Sequence, residues 1–526
     1  MTHSNQPSAP EDTDYRDAVV AHRDGRWDQA IAGYQHVLER DRGHLPTLNN
    51  LAALLMDLGR IDEATAYYQQ GLNLHPQTAE LHANYGNLLR QKGSLADAAR
   101  HYELALAQSP GLSEVRYALG VLLRRLKRPK DARRELEQCA AERKSDPRSY
   151  VALAMLALDD NDPNEAFDIA GKAIACDPDD PEALNIFGVT HKELGRYSEA
   201  RAAFDAALMR APDHAEAHYN RGIIRLLKGE LSHAWDDYEW RWQGAGRQMP
   251  GADLGKPVWR AQSLDGRRLI IVSEQGFGDT IQCIRYAPRL KEMGANVVLQ
   301  CRPELAALMN DAPGVDAIIT PDDPMPDFDY FVPILSLPDR FRAELGSIPA
   351  SGRYLNPPRR DTLTKLPGDG LAIGLVWAGS STHSNDANRS LELSALATVT
   401  DQANMRFYSL QMGAARDQLV NLDEPHRIAD LTDQINDFGD TANILTGMDL
   451  VITVDTAVAH LAGALGRPAW VLLPHVPDWR WMLDRSDTPW YQSLKLFRQP
   501  TRGDWQTPLG AIKEALQKLA SSHVNG

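Results

Sequence analysis

Three short segments of this sequence combine glycine, hydroxyl, carboxylate, imidazole and guanidinium groups in settings where such groups handle anions and protons. The first, Glu274-Gln275-Gly276-Phe277-Gly278-Asp279-Thr280, follows the strand-length run LIIVSE and leads into helical sequence. Gly276 and Gly278, with Gln275 beside them, let a ligand approach the backbone, and a helix N-terminus favours an anion. Asp279 falls in the first helical turn, where it either complements the helix dipole or faces a cleft as a general base. The second segment, Asp455-Thr456-Ala457-Val458-Ala459-His460, follows the run DLVITVD and again begins a helix. Thr456 offers a hydroxyl and a backbone N–H to a phosphate. His460, one turn further, either hydrogen-bonds a phosphate oxygen or is a satisfied core histidine. The third, Trp377 to Ser390, is a small, polar loop leading to Arg389. That arginine either neutralises a departing phosphate or belongs to a solvated loop.

Weaker signals accompany these. Ser409-Leu410-Gln411 ends a strand, and Gln411 is placed to border a nucleoside. Asp440-Thr441 opens a helix, which capping alone explains equally well. Trp479-Arg480-Trp481 either lines a cleft or packs a crossing between two lobes. The acidic groups around Asp177–Asp180 and Asp322–Asp323 lie in a repeat junction and a surface loop and read as no metal site. The sequence carries no nucleophile elbow, Walker loop or His-Glu-x-x-His helix. The expected chemistry therefore uses no metal and no cofactor.

The elements that must position these groups come in two kinds. Ala30, Ala64, Ala98, Ala132, Ala166, Ala200 and Ala234 recur every 34 residues. Five residues before them stand Gly25, Gly59, Gly93, Gly195 and Gly229, with Lys127 and Asn161 in the two middle repeats. Four residues after them stand Tyr34, Tyr68, Tyr102, Leu136, Ala170, Phe204 and Tyr238. A glycine ends one helix, an alanine lets its partner come close, and a ring on the same face fills the space below. Pro76, Pro110, Pro178 and Pro212 close several units. Beyond Gly266, apolar runs of strand length alternate with helical stretches: 269–274, 296–301, 316–320 and 329–333, then 371–377, 406–410, 449–455 and 469–473. Such alternation predicts parallel sheets, whose ligands lie beyond the carboxyl ends of the strands.

Composition bounds the function. The chain has 526 residues, 43% of them hydrophobic and 24% charged, with a formal charge of −15. That balance argues against a partner made of nucleic acid or an anionic membrane surface. The sequence shows no secretory leader, and its most apolar region, 449–474, is broken by Asp455, His460 and Arg467. Four scattered cysteines form no framework, so the expected location is cytoplasmic.

The 34-residue pattern resembles the tetratricopeptide repeat family over residues 14–241 and implies seven helix pairs in an all-α superhelix. Asn50, Asn84 and Asn220 share one place in the repeat, and Ala118, Ala152 and Ile186 replace them in the middle units. In the O-GlcNAc transferases similarly placed asparagines grip an extended peptide, which implies acceptor binding here; solvated helix-face residues are the alternative. The Gly-Asp segment is similar to the first glycine-rich loop of the heptosyltransferases, which implies that Asp279 deprotonates an acceptor hydroxyl. The stretch Val454 to Pro468 resembles that family's nucleotide-sugar diphosphate loop, with Ala457 where glycine is common, and implies donor contacts from Asp455, Thr456 and His460. The heptosyltransferases place a lysine near the position of Arg389.

The expected fold is thus a repeat superhelix followed by an α/β GT-B transferase of two Rossmann-like lobes. Its parts are a tail (1–13), the repeats (14–241), a linker (242–265), a first lobe (266–360), an interlobe linker (361–370) and a second lobe with a terminal helix (371–526). This layout resembles the bacterial repeat-containing glycosyltransferases, including those of flagellin. It implies an inverting enzyme that moves a sugar from a nucleotide donor to a protein held by the repeats. Transfer to a glycan or lipid-linked saccharide, and a repeat scaffold with a degenerate cleft, are the alternative readings. A crevice plugged by side chains would count against catalysis.

Overall fold

The computed structural model describes residues 10–244, 248–349, 352–360, 366, 370–383, 385–402, 404–421 and 427–524. Of the expected interlobe linker, 361–370, only Leu366 and Gly370 are among them; most of the expected tail, Ser384 of the Arg389 loop and residues 245–247 of the first linker lie outside. The chain divides into two compact units, Met1–Thr190 and His191–Gly526.

The repeats form helix pairs α1 (Pro10–Arg23) and α2 (Trp27–Arg40), α3 (Leu45–Asp57) and α4 (Ile61–Leu74), and α5 (Ala79–Gln91) and α6 (Leu95–Gln108). The series continues with α7 (Ser113–Arg125) and α8 (Pro129–Glu142), then α9 (Pro147–Asp159) and α10 (Pro163–Cys176). It ends with α11 (Pro181–Glu193), α12 (Tyr197–Arg210), α13 (Ala215–Leu227) and α14 (Leu231–Tyr238). The seven periodic alanines are all 0% exposed, so a larger side chain at any of them would force its helix pair apart.

Each first helix stops in the same way. At the first pair Arg26 N–H bonds the Ala21 carbonyl at 2.9 Å and Gly25 N–H bonds His22 at 3.1 Å, a Schellman cap with Gly25 left-handed (φ 74°). Where the sequence lacks glycine the backbone is unchanged: Lys127 (φ 58°) and Asn161 (φ 61°) take the same left-handed conformation and the same two bonds. The closing prolines have a second use. His82, Arg116 and His218, each six residues after a proline, direct a side-chain nitrogen at the carbonyls of Pro76, Pro110 and Pro212. Each also meets the residue 19 positions on, in the second helix: His101, Glu135 or Asp237.

The second unit carries two wholly parallel sheets. The first has β1 (Arg268–Val272), β2 (Asn296–Gln300), β3 (Ala317–Ile319) and β4 (Tyr330–Pro333) in the order β3-β2-β1-β4. Its helical connections are α15 (Phe277–Cys283), α16 (Ala287–Glu292), α17 (Pro303–Met309) and α18 (Leu337–Arg340). The second has β5 (Leu371–Val376), β6 (Met405–Ser409), β7 (Ile428–Asp430), β8 (Leu450–Val454), β9 (Ala469–Leu473) and β10 (Leu494–Arg498). Its order is β10-β9-β8-β5-β6-β7, and its helices are α19 (Asp386–Arg389), α20 (Ala397–Thr400), α21 (Phe438–Thr446), α22 (Ala457–Ala464) and α23 (Gln506–Val524). All six residues of β5 and all five of β8 are buried, as central parallel strands covered on both faces must be. Counted from β5, this is the 3-2-1-4-5-6 order of a doubly wound sheet, with its direction of growth reversing between β5 and β8. The first sheet reverses between β1 and β4. Crevices at such switch points are where open sheets bind ligands.

A buried charge network ties α14 and the turn after it to the first sheet. Arg241 pairs with Glu274 at 3.2 Å, both side chains being 1% exposed, and also meets Glu239. Ser336 and Arg340 complete the group, each bonded to Glu239 at 2.8 Å.

The caps supply a test. Left-handed backbone costs a side chain about 1–2 kcal/mol, and asparagine less. Lys127→Gly is therefore expected to stabilise the protein by about 0.5–1 kcal/mol, and Asn161→Gly by a smaller amount. Chemical denaturation checks this, and a loss of stability in Lys127→Gly would contradict the cap assignment.

Candidate functional site

In the first sheet the chain leaves β1 and turns sharply. Glu274 folds inward, where its carboxylate accepts a bond from Leu335 N–H (2.9 Å), just past β4, and so occupies this sheet's switch point. Burial pushes its carboxyl up, and Arg241 opposes that shift. Gln275 is exposed and left-handed (φ 56°), and its carbonyl accepts from Arg302 at 3.1 Å. Gly276 caps α15, but its N–H is already taken by Asp279 Oδ2 at 2.6 Å. Gly278 serves packing: a Cβ there would lie 2.6 Å from His460 Cδ2, so the missing side chain is what lets α15 and α22 touch.

In the second sheet, β8 delivers Asp455 and Thr456 to the N-terminus of α22. The Thr456 hydroxyl lies 3.0 Å from that of Thr453. His460 is buried, with Nδ1 2.8 Å from the Tyr491 hydroxyl and its ring stacked 5.2 Å from Trp481. Burial, together with Arg480 and Arg285, holds its pKa well below the usual imidazole range, so it is neutral. Arg389 reaches across the β5/β8 switch point, where Nη1 donates to the Asp455 carbonyl at 3.0 Å and Nε to Asp386 at 3.3 Å. It lies directly over Gly379, where no side chain intervenes. Gln411 uses its whole amide locally. Its oxygen accepts from Trp377 and Ala378 N–H, both at 2.9 Å, and its nitrogen donates to the carbonyls of Ala378 (3.0 Å) and Met412 (2.9 Å). It fixes the end of β5 and has no donor left for a nucleoside. Asp440 is not the cap of its helix. Asp437 is the cap, and Asp440 pairs with Arg360 at 2.7 Å.

The two sheets meet through the turn after β9. Arg480, 6% exposed, donates Nη1 to Asp478 (2.8 Å) in its own lobe. Across the crossing it donates Nε to Gln282 Oε1 (2.7 Å) and Nη2 to the Asp279 carboxylate. Its guanidinium also lies 4.4 Å over the Trp479 ring. Of the two sequence readings of Trp479-Arg480-Trp481, the crossing is the one observed. Burial pushes the Asp279 carboxyl up, against the opposing pull of Arg480 and of the Gly276 N–H. Asp455 is pushed up to about 6, by burial and then by the negative charge of Asp478, with Arg389 opposing. Asp279, His460, Asp455, Thr456 and Arg389 are thus gathered at the facing carboxyl ends of the two sheets. His460, Arg480 and Trp481 fill the base of the crossing, and the rim from Ser380 to His383 with Gln275 and Gly276 is exposed. Among the described residues, no three His, Cys, Asp or Glu side chains gather as a metal-holding group, and no helix is long and apolar enough to cross a membrane.

The repeat asparagines have partners of their own. Asn50 donates to the Tyr15 hydroxyl at 3.0 Å and Asn84 to Asn49 at 2.9 Å, each joining one repeat to the one before. Asn220 is half-buried on α13. The sequence reading gave Glu274 no role and missed Arg241, Gln282 and Asp478. The signal for Asp478 was its place one residue ahead of Trp479-Arg480-Trp481, directly after a strand.

Residues 21–88, 89–156 and 157–221 match the tetratricopeptide repeat family, so the N-terminal part of the chain consists of these repeats. The chain is similar to Protein FlbA of Caulobacter vibrioides, 26% identical over 449 residues, covering 72% of this chain and 74% of that one. A match of that length runs beyond the repeats. Among solved structures it is similar to a tetratricopeptide repeat protein of Parabacteroides merdae (TM-score 0.40, 18% identity, 45% of this chain and 94% of that one). It is also similar to YrrB, described as a repeat protein with an unusual peptide-binding site (TM-score 0.31, 24% identity, 35% of this chain and 95% of that one).

The contact of α15 with α22 gives a second test. Gly278→Ala drives a methyl into His460 and is expected to cost about 1–3 kcal/mol. The loss should shrink in a His460→Ala background. Equal losses in both backgrounds, measured by denaturation, would mean that the glycine is needed for some other reason.

Proposed function

We propose that the α/β half is an inverting, nucleotide-sugar-dependent glycosyltransferase of the GT-B kind, and that the repeats recruit a protein acceptor. The observation that carries this reading is the crossing itself: Arg480, from the second sheet's side, binds Asp279 of the first, and Asp455, Thr456 and Arg389 stand together at the switch point of the second. A sugar carried on a nucleotide phosphate has its phosphate beside Thr456 and Arg389. The acceptor hydroxyl then comes from the Asp279 side. Its oxygen attacks the anomeric carbon while the Asp279 carboxylate takes its proton. The bond from that carbon to the phosphate oxygen breaks, and its electron pair leaves with the nucleotide. One displacement with no covalent sugar intermediate inverts the anomeric centre. A carboxyl with raised proton affinity suits this task, because a base works best with a pKa near the working pH.

The acceptor reading draws on the repeats and on the resemblance of the whole layout to the bacterial repeat-containing glycosyltransferases. Flagellin is the first acceptor to test, and a CMP-linked nonulosonate one of the first donors. One observation favours a second reading, a scaffold with a degenerate cleft: Asp279 is already bonded to Gly276 N–H and Arg480, and His460 to the Tyr491 hydroxyl.

Incubating the purified chain with UDP-, GDP-, ADP- and CMP-sugars and cell lysate, then analysing by mass spectrometry, separates the readings. Mass-shifted polypeptide supports the first, a modified glycan supports transfer to saccharides, and no transfer from any donor supports the scaffold. Asp279→Asn is expected to lower transfer by about 100-fold or more; unchanged turnover would remove Asp279 from its role.

Binding should also be linked to protons. Above pH 6 the Asp455 carboxylate is largely ionised and repels an arriving phosphate, which raises its proton affinity further. Nucleotide binding at pH 7–8 is therefore expected to take up a proton and to weaken as pH rises. Calorimetry in buffers of different ionisation enthalpy measures this, and Asp455→Asn should abolish the uptake. An uptake that survives in that variant would assign it to another group.

A further inference from the structure

Arg480 is held by carboxylates from both lobes. Two facts about it stand apart from the catalytic reading. Asp279 and Asp478 both accept from the one guanidinium, so the group proposed as base is bound to a cation that a phosphate would also bind. The turn that presents Arg480 is also strained. Met482, buried two residues on, has φ 53° and ψ −170°, a region that glycine alone enters freely, and Asp484 (φ 53°) is left-handed as well. The strained turn is clamped: Arg498 donates to the Trp481 carbonyl at 2.5 Å, and Leu483 N–H bonds the Leu227 carbonyl at 3.2 Å. Structures retain such backbone where it sets a side chain in a demanding position. The charges of Arg480 and Arg389 both lower the proton affinity of Asp455 and of His383.

We propose that Arg480 is an exchangeable lock, bound to Asp279 in the unliganded protein and transferred to the phosphate of a nucleotide ligand when one enters, which releases the Asp279 carboxylate. This rests on the glycosyltransferase reading and deepens it. Donor binding and activation of the base become a single event. A guanidinium suits the exchange because it carries five N–H groups in a planar fork that fits carboxylate and phosphate alike. Of these, Asp279, Asp478 and Gln282 take three among the described residues. Without nucleotide, Asp279 stays paired with Arg480 and takes up no proton. The Arg389 contacts, made within the second lobe, stay in place throughout.

The test is calorimetry on the full chain with UDP, GDP, ADP and CMP, taking the nucleotide that the wild type binds most tightly. Asp279→Asn removes the competing charge and is expected to tighten binding about tenfold. Arg480→Gln should weaken binding at least tenfold, and Arg480→Lys, which keeps the charge, by less. In the double variant the tightening should vanish, because nothing remains to be competed for. Unchanged affinity in Asp279→Asn, or tightening that persists without Arg480, would overturn the lock while leaving nucleotide binding intact. Failure of all four nucleotides to bind wild type would instead overturn the transferase reading, and the lock with it. If Arg480→Gln does not fold, as judged by circular dichroism, Asp279→Asn alone and combined with Arg480→Lys decides. Tightening that is reduced by Lys supports the lock, and tightening of equal size refutes it.

Discussion

A guanidinium taken out of water loses several kcal/mol of hydration unless carboxylates and amides replace the water around it. For Arg480 those replacements come from both sides of the crossing, Asp478 from its own lobe and Asp279 with Gln282 from α15. Much of the local sequence follows from that requirement. The helix bearing Asp279 and Gln282 must approach α22 closely, which demands glycine at 278 and a flat, neutral ring at 460. Tyr491 and Trp481 then hold that ring in place. Removing one carboxylate leaves a buried cation short of a partner, whereas an incoming anion can replace it.

Topology decides what meets at this crossing. Each parallel sheet reverses its direction of growth once, and the loops there have no neighbouring crossover to cover them. Glu274 fills that place in the first sheet and is held by Arg241, so the last helix pair of the second unit and the first sheet share one buried charge network. Arg389 spans it in the second sheet. One opening is therefore closed by an internal ion pair, while the other keeps Thr456, Asp455 and an exposed polar loop at its rim.

The repeats were legible because each signature position has a steric cause that acts within a few residues. An alanine at 0% exposure or a left-handed cap can be inferred from residue type and spacing alone, and the cap persists even where Lys127 and Asn161 replace glycine. The alternating apolar runs located eight of the ten strands. β7, with only three residues, and β10, with its interior lysine, gave too little continuous apolar sequence. At the site the sequence identified the loops but not the partners. Gly278 accommodates His460 rather than open space, the Gln411 amide is committed to β5, and Asn50 and Asn84 bond their neighbouring repeats. In all four the partner lies more than 30 residues away, and Arg480 is 201 residues from Asp279. Spacing along a chain carries no information about such pairs.

The most direct measurement is a crystal structure of the full chain with the nucleotide it binds. The account predicts phosphate oxygens against Thr456 and Arg389 at the carboxyl ends of β5 and β8, with the Asp279 carboxylate facing them across the crossing. Nucleotide bound elsewhere, with Arg480 still paired to Asp279 and the β5/β8 switch point empty, would contradict it.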